Sequence, residues 1–347
     1  MNKCISVDDL QYIENSVDMS KLKGKTIMVT GATGLIGSWI IKSLLHFGID
    51  NEDAPVVLAV VRNMEKAKRV FGKFVENPQL HFIVSDICEL KNPETRVDYI
   101  IHAASQTSSK AFVQKPVETI KTAIEGTMRV LNIAKENQVD GFLYLSSMEV
   151  YGCPETDDKI NEQHFTNLDT TKVRTCYPES KRMCENLCVS YGCEYAVNTK
   201  IIRLTQTFGP GVEYDDGRIF AEFARCVMEE KNIILHTKGN TKRSYLYTAD
   251  AVSAIFSVLL KGKNGEAYNA ANESTYCSIL EMANLVVKQC AKNKIKVIID
   301  EQDNSSSSYG YAPTLKMNLD VNKLKSLGWS PNYNLQEMYG RMIESMK

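Results

Sequence analysis

The stretch that most restricts the fold is TIMVTGATGLIGSWIIKSLLHFG, residues 26–48. TIMVT (26–30) reads as a strand and LIGSWIIKSLLHFG (35–48) as a helix, with glycines at 31, 34 and 37. The spacing is GxxGxxG rather than the commoner GxGxxG, but the physical demand is the same. A tight strand-to-helix turn lets backbone amides approach a pyrophosphate at the helix N-terminus. Alone the pattern says little. Placed after the first strand and opening a helix, it reads as a phosphate loop, with Gly31, Thr33, Gly34, Leu35, Ile36 and Gly37 against a dinucleotide.

The next 160 or so residues keep the same rhythm of strand and helix. Strands are expected at 56–61, 81–86, 98–104, 141–147 and 196–204, and helices at 63–71, about 116–137 and about 176–191. Near-continuous apolar strands separated by helices require a parallel sheet covered on both faces, an α/β doubly wound fold. From about residue 207 the rhythm changes. TFGPGVEYDDGR reads as a turn-rich loop, followed by a helix near 218–230, the short strand IILH and a helix that Asp250 is placed to cap. GEAYNAAN, a helix near 278–291, the strand IKVIID and the polar loop DNSSSSYG complete a smaller C-terminal α/β lobe. Three parts result: an arm over 1–24, a dinucleotide-binding domain over 25–205, and a mainly substrate-binding lobe over 206–347 with segments returning to the larger domain. In the arm, Ser6 is placed to cap a helix carrying Leu10, Ile13 and Val17 on one face.

Composition narrows the partners. A formal net charge of -1 over 347 residues favours neither nucleic acid nor an anionic membrane. No apolar run reaches the roughly 18 residues that span a bilayer. The opening MNKCISVDDLQYIENSVDM has no apolar export core, so a cytoplasmic location is expected. The ten cysteines form no CxxC pair and no metal-spaced cluster with histidine, so no metal is expected. Cys184 and Cys188, four apart, read as small buried side chains on one helix face, and the five histidines as structural or surface residues.

The end of the second strand discriminates NAD from NADP. An acid there accepts from the ribose 2′-OH, and an arginine suits a 2′-phosphate. Here the strand runs VLAVVRN, with Arg62 and no acid, so both cofactors stay open. Asp86 and Ile87 end the third strand where a side chain reaches adenine, and Ala103, Ala104 and Ser105 give small residues at the end of the fourth.

Two further motifs bear chemistry. SSMEVYG (146–152) closes the fifth strand with a hydroxyl, a carboxylate and a phenol. CYPESK places Tyr177 and Lys181 four apart, on one helix face. A lysine beside a tyrosine lowers the phenol's pKa from about 10, and a partly ionised phenol takes a proton from an alcohol being oxidised.

On TGATGLIG, the Ser-x-x-Val-Tyr-Gly of 147–152, YPESK, and TFGPG followed by KRSYLYTADAV, the chain resembles an extended short-chain dehydrogenase/reductase of the NAD-dependent nucleotide-sugar epimerase/dehydratase family. RTCYPESKR, QTFGP, DGRIF and KRSYLYTAD are most similar to its UDP-glucuronate decarboxylase branch. The resemblance implies a Rossmann-type fold, a nucleotide-sugar substrate and a homodimer built on the helices around Tyr177, with Ile120, Ile124, Leu131 and Leu187 offering apolar area unless they face the sheet. It implies that Ser147 holds the reacting sugar hydroxyl, that Tyr177 is its acid/base, and that Lys181 binds the nicotinamide ribose and tunes Tyr177. It implies that Arg243 binds the substrate pyrophosphate, with Arg218 near the nucleotide. Gln206 stands where many members have asparagine, and Gly211 where the decarboxylases have arginine.

Oxidation at C4 of a hexose makes the C5 proton acidic, and three routes diverge from the 4-ketone. Elimination of the C6 hydroxyl needs a base and an acid, which the dehydratases of this family supply as an Asp-Glu pair; here Met148-Glu149 keeps only the base. Loss of a C6 carboxylate from a β-keto acid needs less help. Epimerisation needs no carboxylate. The sequence therefore favours decarboxylase-like chemistry, with 4-epimerisation, 4,6-dehydration, NADPH-dependent reduction of a keto-sugar or small carbonyl, and a non-catalytic NAD(P)-binding regulator as alternatives.

Overall fold

The structure, a computed structural model, describes residues 6–49, 53–300 and 314–347. Its larger sheet is built from β1 (Thr26–Thr30), β2 (Val56–Val61), β3 (Leu80–Val84), β4 (Tyr99–His102), β5 (Gly141–Ser147) and β6 (Thr199–Leu204). Between them run helices α2 (Leu35–Phe47), α3 (Met64–Phe71), α4 (Ser109–Gln114), α5 (Pro116–Asn137) and α6 (Cys176–Tyr195), preceded by α1 (Val7–Ser16). A seventh strand, β10 (Ala267–Ala270), returns from the C-terminal part and pairs in parallel with β6. The order is β10-β6-β5-β4-β1-β2-β3, every pair parallel. The order reverses between β1 and β4, so the crevice above their C-terminal ends is where such folds bind ligands.

The sheet forms because its strands are apolar on both faces. Ile27, Met28 and Val29 of β1, Ile100 and Ile101 of β4, and Phe142 and Leu143 of β5 have no exposed surface. Helices α5 and α6 cover one face through Val130, Leu131, Ala134, Cys184 and Cys188, while α2 and α8 (Thr248–Lys261) cover the other. Ser6 accepts from the amide of Asp9 at 3.1 Å, and Leu10, Ile13 and Val17 are buried against α2 and α8.

The remainder of the chain forms a second layer of structure. β7 (Gln206–Phe208) pairs with β9 (Lys242–Tyr247), which also pairs with β11 (Asn272–Ser278) and β13 (Lys316–Met317). β8 (Ile233–Leu235) pairs with β12 (Val297–Ile299), and α7 (Ile219–Met228), α9 (Ile279–Leu285), α10 (Asn322–Lys325) and α11 (Leu335–Met346) fill the rest. No helix among the described residues is long and apolar enough to cross a membrane.

Several expectations need correction. The turn-rich loop after residue 206 contains strand β7, too short and too close to β6 to show a pattern of its own. Asp250 does not cap its helix. Tyr247 holds the cap position, and the Asp250 carboxylate accepts instead from Tyr12 Oη at 2.6 Å and from the amides of Asn332 and Tyr333 at 3.0 and 3.2 Å. The helix expected near 278–291 is α9, capped by Ser278 and Glu281 reciprocally, continued by a wider π turn over Val286–Cys290. The polar loop DNSSSSYG lies outside the described residues.

Candidate active site

The phosphate loop is shaped by glycine at two points. Gly31 adopts φ +66, and a Cβ there would stand 2.7 Å from the carbonyl oxygen of Ala103. A Cβ on Gly37 would stand 2.3 Å from the carbonyl oxygen of Gly31. Neither approach tolerates a side chain, so β1, β4 and α2 close together only with glycine at both places. Gly34 caps α2 and is exposed, with Leu35 and Ile36 half-buried after it and Thr33 half-buried before it. This cradle of amides at the N-terminus of a 13-residue helix fits a dinucleotide pyrophosphate.

Around it, Arg62 is exposed at the end of β2, and its neighbour Asn63 caps α3. Asp86 is exposed and caps the short turn after β3 through the amide of Cys88, while Ile87 is a core side chain beneath α5. Ala103, Ala104 and Ser105 are half-buried, and the amide of Ala104 donates to Thr30 Oγ1 at 3.2 Å.

The end of β5 is braced from below. Ser146 donates to Glu185 of α6 at 2.5 Å. Glu185 forms a buried bidentate pair with Arg203 of β6, at 3.0 and 2.7 Å, and Arg203 donates to the Tyr151 hydroxyl. Tyr151 in turn donates to Asn269 of β10 at 2.6 Å. Ser146 and Tyr151 are thus structural, and they lock the following turn, Met148–Tyr151, onto α6 and β6.

On that turn Ser147 Oγ accepts from the amide of Glu149 at 3.2 Å and lies near enough to Tyr177 to favour its ionised form. The Glu149 carboxylate is gripped by Arg174 through two bonds, 2.8 Å to Oε2 and 3.2 Å to Oε1. Tyr177 is the second residue of α6, nine-tenths buried, with the ring of Phe112 from α4 stacked on it at 4.3 Å. The Arg174 guanidinium lies over the other ring of that stack, 5.6 Å from the centre of Phe112. Cys176 Sγ donates to the carbonyl of Phe112, which ties α4 to the start of α6.

Lys181, expected to tune Tyr177, stands over the Tyr177 ring while a backbone carbonyl takes its ammonium. Lys181 Nζ donates to the carbonyl of Leu145 at 2.7 Å and stands 5.8 Å from the centre of the Tyr177 ring. Burial raises the phenol above its ordinary range and the Glu149 charge raises it further, against hydrogen bonding with Ser147 and the charges of Arg174 and Arg218. Burial also pushes the Lys181 ammonium down to about 8. Desolvation dominates both groups because neither faces water.

The substrate-side residues fall into two groups. Arg218 is clasped by Asp216 through its amide, Nε and Nη2 at 2.9, 3.0 and 2.6 Å, close enough to Tyr177 for its charge to act there. Arg243 lies with Gln206, to which its Nη1 donates at 3.4 Å, and its Nε is buried without a hydrogen-bond partner. Gly211 has φ +93 and packs against Leu35 and Trp39 of the phosphate helix. An arginine at that place would be strained, so the departure from the decarboxylase pattern is built into the backbone here. Met148 is buried among Val150, Ile160, Leu315 and Met317, and its sulfur meets Thr205 Oγ1 at 3.3 Å. The residue standing in place of an acid is therefore part of the core.

Sequence reasoning assigned nothing to Arg174 or Phe112. Arg174 lies inside the RTCYPESKR motif, three residues before Tyr177, and that position was its only signal. Phe112 lies on a six-residue helix with no periodicity to mark it.

Set against known proteins, residues 27–271 match the model of the NAD dependent epimerase/dehydratase family. UDP-glucuronic acid decarboxylase 6 of Arabidopsis thaliana is 29% identical over 322 residues, covering 92% of this chain and 88% of its own. UDP-glucuronic acid decarboxylase 1 of Danio rerio is 28% identical over 329 residues, covering 94% and 73%. Among solved structures, UDP-glucose 4-epimerase from Thermotoga maritima superposes with a TM-score of 0.78 at 21% identity, over 92% of this chain and 98% of that one. UDP-glucuronic acid 4-epimerase from Bacillus cereus superposes at 0.74 and 22% identity, over the same shares. At such identities these two speak for the fold.

Proposed function

The chain belongs to the NAD dependent epimerase/dehydratase family, and from that premise we propose that it removes the C6 carboxylate of a nucleotide-linked hexuronate, UDP-glucuronate being the first substrate to test. It is an NAD(P)-dependent enzyme of the nucleotide-sugar epimerase/dehydratase/decarboxylase type. The observation that carries the finer reading is the pairing of a buried Met148 with a carboxylate, Glu149, held by Arg174 and near enough to Tyr177 for its charge to act there. Dehydration needs an acid for the leaving hydroxyl, and the core occupies its place. The curated relatives named as UDP-glucuronic acid decarboxylases support the same choice.

In this reading a nicotinamide dinucleotide, held by the loop of Gly31, Gly34 and Gly37, would supply reversible hydride acceptance for C4. Ser147 holds the C4 hydroxyl, and Tyr177 removes its proton and gives it back. The C5–C6 bond of the β-keto acid then breaks, its electron pair enters the C4–C5 bond, and carbon dioxide leaves. C5 finally takes a proton. Arg243 and Gln206 bind the nucleotide pyrophosphate side, and Arg218 lies at the sugar end of the cleft. The cofactor we propose is NAD, retained and regenerated, held by the loop of Gly31, Gly34 and Gly37; Arg62 lies over the adenosine end. The protein acts in the cytoplasm as a homodimer through α5 and α6. There Ile120 is exposed, with Val117 and Met128 on the same helix and Met183 on its neighbour. Leu131, offered for that face, is fully buried against the sheet instead.

Mass spectrometry of products from UDP-glucuronate and a panel of UDP-, dTDP-, CDP- and GDP-hexoses tests the function. The expected product is UDP-pentose plus carbon dioxide, with no net consumption of cofactor. A 4-keto-6-deoxy sugar, a C4 epimer, or steady loss of NADPH absorbance with a keto-sugar would each replace the reading.

A further inference from the structure

Arg174 sits in a short turn, Val173–Thr175, directly before α6. Both of its terminal nitrogens end on Glu149, one on each carboxylate oxygen. Such a fork fixes the plane of the carboxylate as well as its distance, which a lysine does not do. The guanidinium lies over Phe112, and Phe112 lies flat on Tyr177. Glu149 is therefore located by reference to the phenol, through one layer of arginine, phenylalanine and tyrosine. The two acid/base groups also feel each other: the charge of Glu149 raises the phenol and that of Arg174 lowers it.

We propose that Arg174 is a positioning residue for proton transfer at C5, fixing the plane and place of the Glu149 carboxylate and keeping its proton traffic separate from that of Tyr177. This rests on the decarboxylase-type assignment of the site. In the step concerned, the C5–H bond of the 4-keto sugar breaks, its electron pair enters the C4–C5 bond, the carbonyl pair moves onto O4, and the proton goes to Glu149. The reverse step delivers that proton, or one exchanged with water, to C5. Tyr177 handles only the proton of the C4 hydroxyl. Without Arg174 the carboxylate is no longer aimed, so it takes protons from C5 less often. The alternative is an arginine that binds the sugar's own carboxylate, in competition with Glu149.

The test uses UDP-xylose and UDP-glucose in deuterated water with the full-length enzyme and NAD. Mass spectrometry reads deuterium entering at C5, and the absorbance of reduced nicotinamide reads oxidation at C4. In Arg174→Gln, C5 exchange is expected to fall about 100-fold, the scale of one general base, with C4 oxidation reduced much less. Guanidinium added to the buffer restores part of the exchange, and Arg174→Lys is intermediate. Should Arg174→Gln not fold, Arg174→Lys carries the same comparison, judged by the ratio of C5 exchange to C4 oxidation. Equal loss of both readouts, or exchange that guanidinium does not restore, overturns the inference. So does a raised KM for UDP-glucuronate with C5 exchange intact, which assigns Arg174 to the substrate. Absence of C4 oxidation by the wild-type protein with either sugar, and of decarboxylation with UDP-glucuronate, overturns the reading of the site and this inference with it.

Discussion

Two sets of carboxylates in this molecule are satisfied in opposite ways. Glu149 is half-buried and rests on one arginine from a loop, beside a cleft. Asp9 and Asp250 have no exposed surface and stand behind the sheet. Asp9 accepts from the hydroxyls of Tyr247 and Tyr333 and from Arg341, at 3.0, 3.3 and 3.1 Å. Asp250 takes a phenol from α1 and two backbone amides that precede α11. The far pair draws its partners from α1, β9 and the C-terminal segment, so it ties chain ends together and has no open side. Among the described residues the Glu149 carboxylate has a single hydrogen-bonding side chain, Arg174, and a neighbour, Tyr177, that feels its charge. A carboxylate saturated by many rigid donors holds structure; one held by a single side chain at a cleft edge is available for chemistry.

That contrast breaks most decisively at Tyr177. Tyr177→Phe should lower turnover by about 10³-fold or more while leaving the melting temperature nearly unchanged, since it removes one acid/base hydroxyl. Product formation and thermal melting measured on one preparation check it; retained turnover would remove the phenol from the mechanism. Glu149→Gln comes next, with turnover down about 10²-fold and a melting temperature within about 2 °C of wild type, because the pair with Arg174 is partly solvated. Asp9→Ala should show the reverse pattern. It strips two phenols and an arginine of their acceptor and is expected to cost about 2–4 kcal/mol in denaturant unfolding, with turnover at low temperature unaltered. If Asp9→Ala lost activity and kept stability, the division between the two sets would be wrong.

The smallest effect concerns pH. Burial raises Asp250 from 3.8 to about 6, with hydrogen bonds from Tyr12, Tyr333 and Asn332 acting against it and the charge of Asp9 with it. A carboxyl whose folded pKa lies above its unfolded value binds its proton more tightly when folded. Its contribution therefore favours the folded state as pH falls from about 6 towards 3.8, and is lost as pH rises through about 6. Unfolding measured between those values should show a component that weakens with rising pH, and Asp250→Asn should flatten it. An unchanged slope in Asp250→Asn would place the proton elsewhere.

Much of the architecture was legible because it rests on local chemistry. The start of α5 comes from Pro116 opening a helix, and β5 is built on the apolar run Phe142–Leu145. The phosphate loop comes from glycines whose side chains would collide with Gly31 and Ala103. Ser147, Tyr177 and Lys181 carry recognisable spacing. Other features have no local cause. β7 exists because β9 lies beside it, and Asp250 turns from capping its own helix to receiving amides 82 and 83 residues away.

The sequence by itself determined the parallel sheet, the glycine-rich loop and the candidates proposed for acid/base work, since each depends on periodicity or on spacing within one element. Tertiary structure alone decided their chemical state. Whether Lys181 tunes Tyr177 depends on the carbonyl of Leu145 that takes its ammonium, and whether Met148 faces a sugar depends on Leu315 and Met317 closing over it. Glu149 depends on an arginine brought from 25 residues away onto a phenylalanine from another helix. Burial and partner geometry set those outcomes, and both are properties of the folded chain.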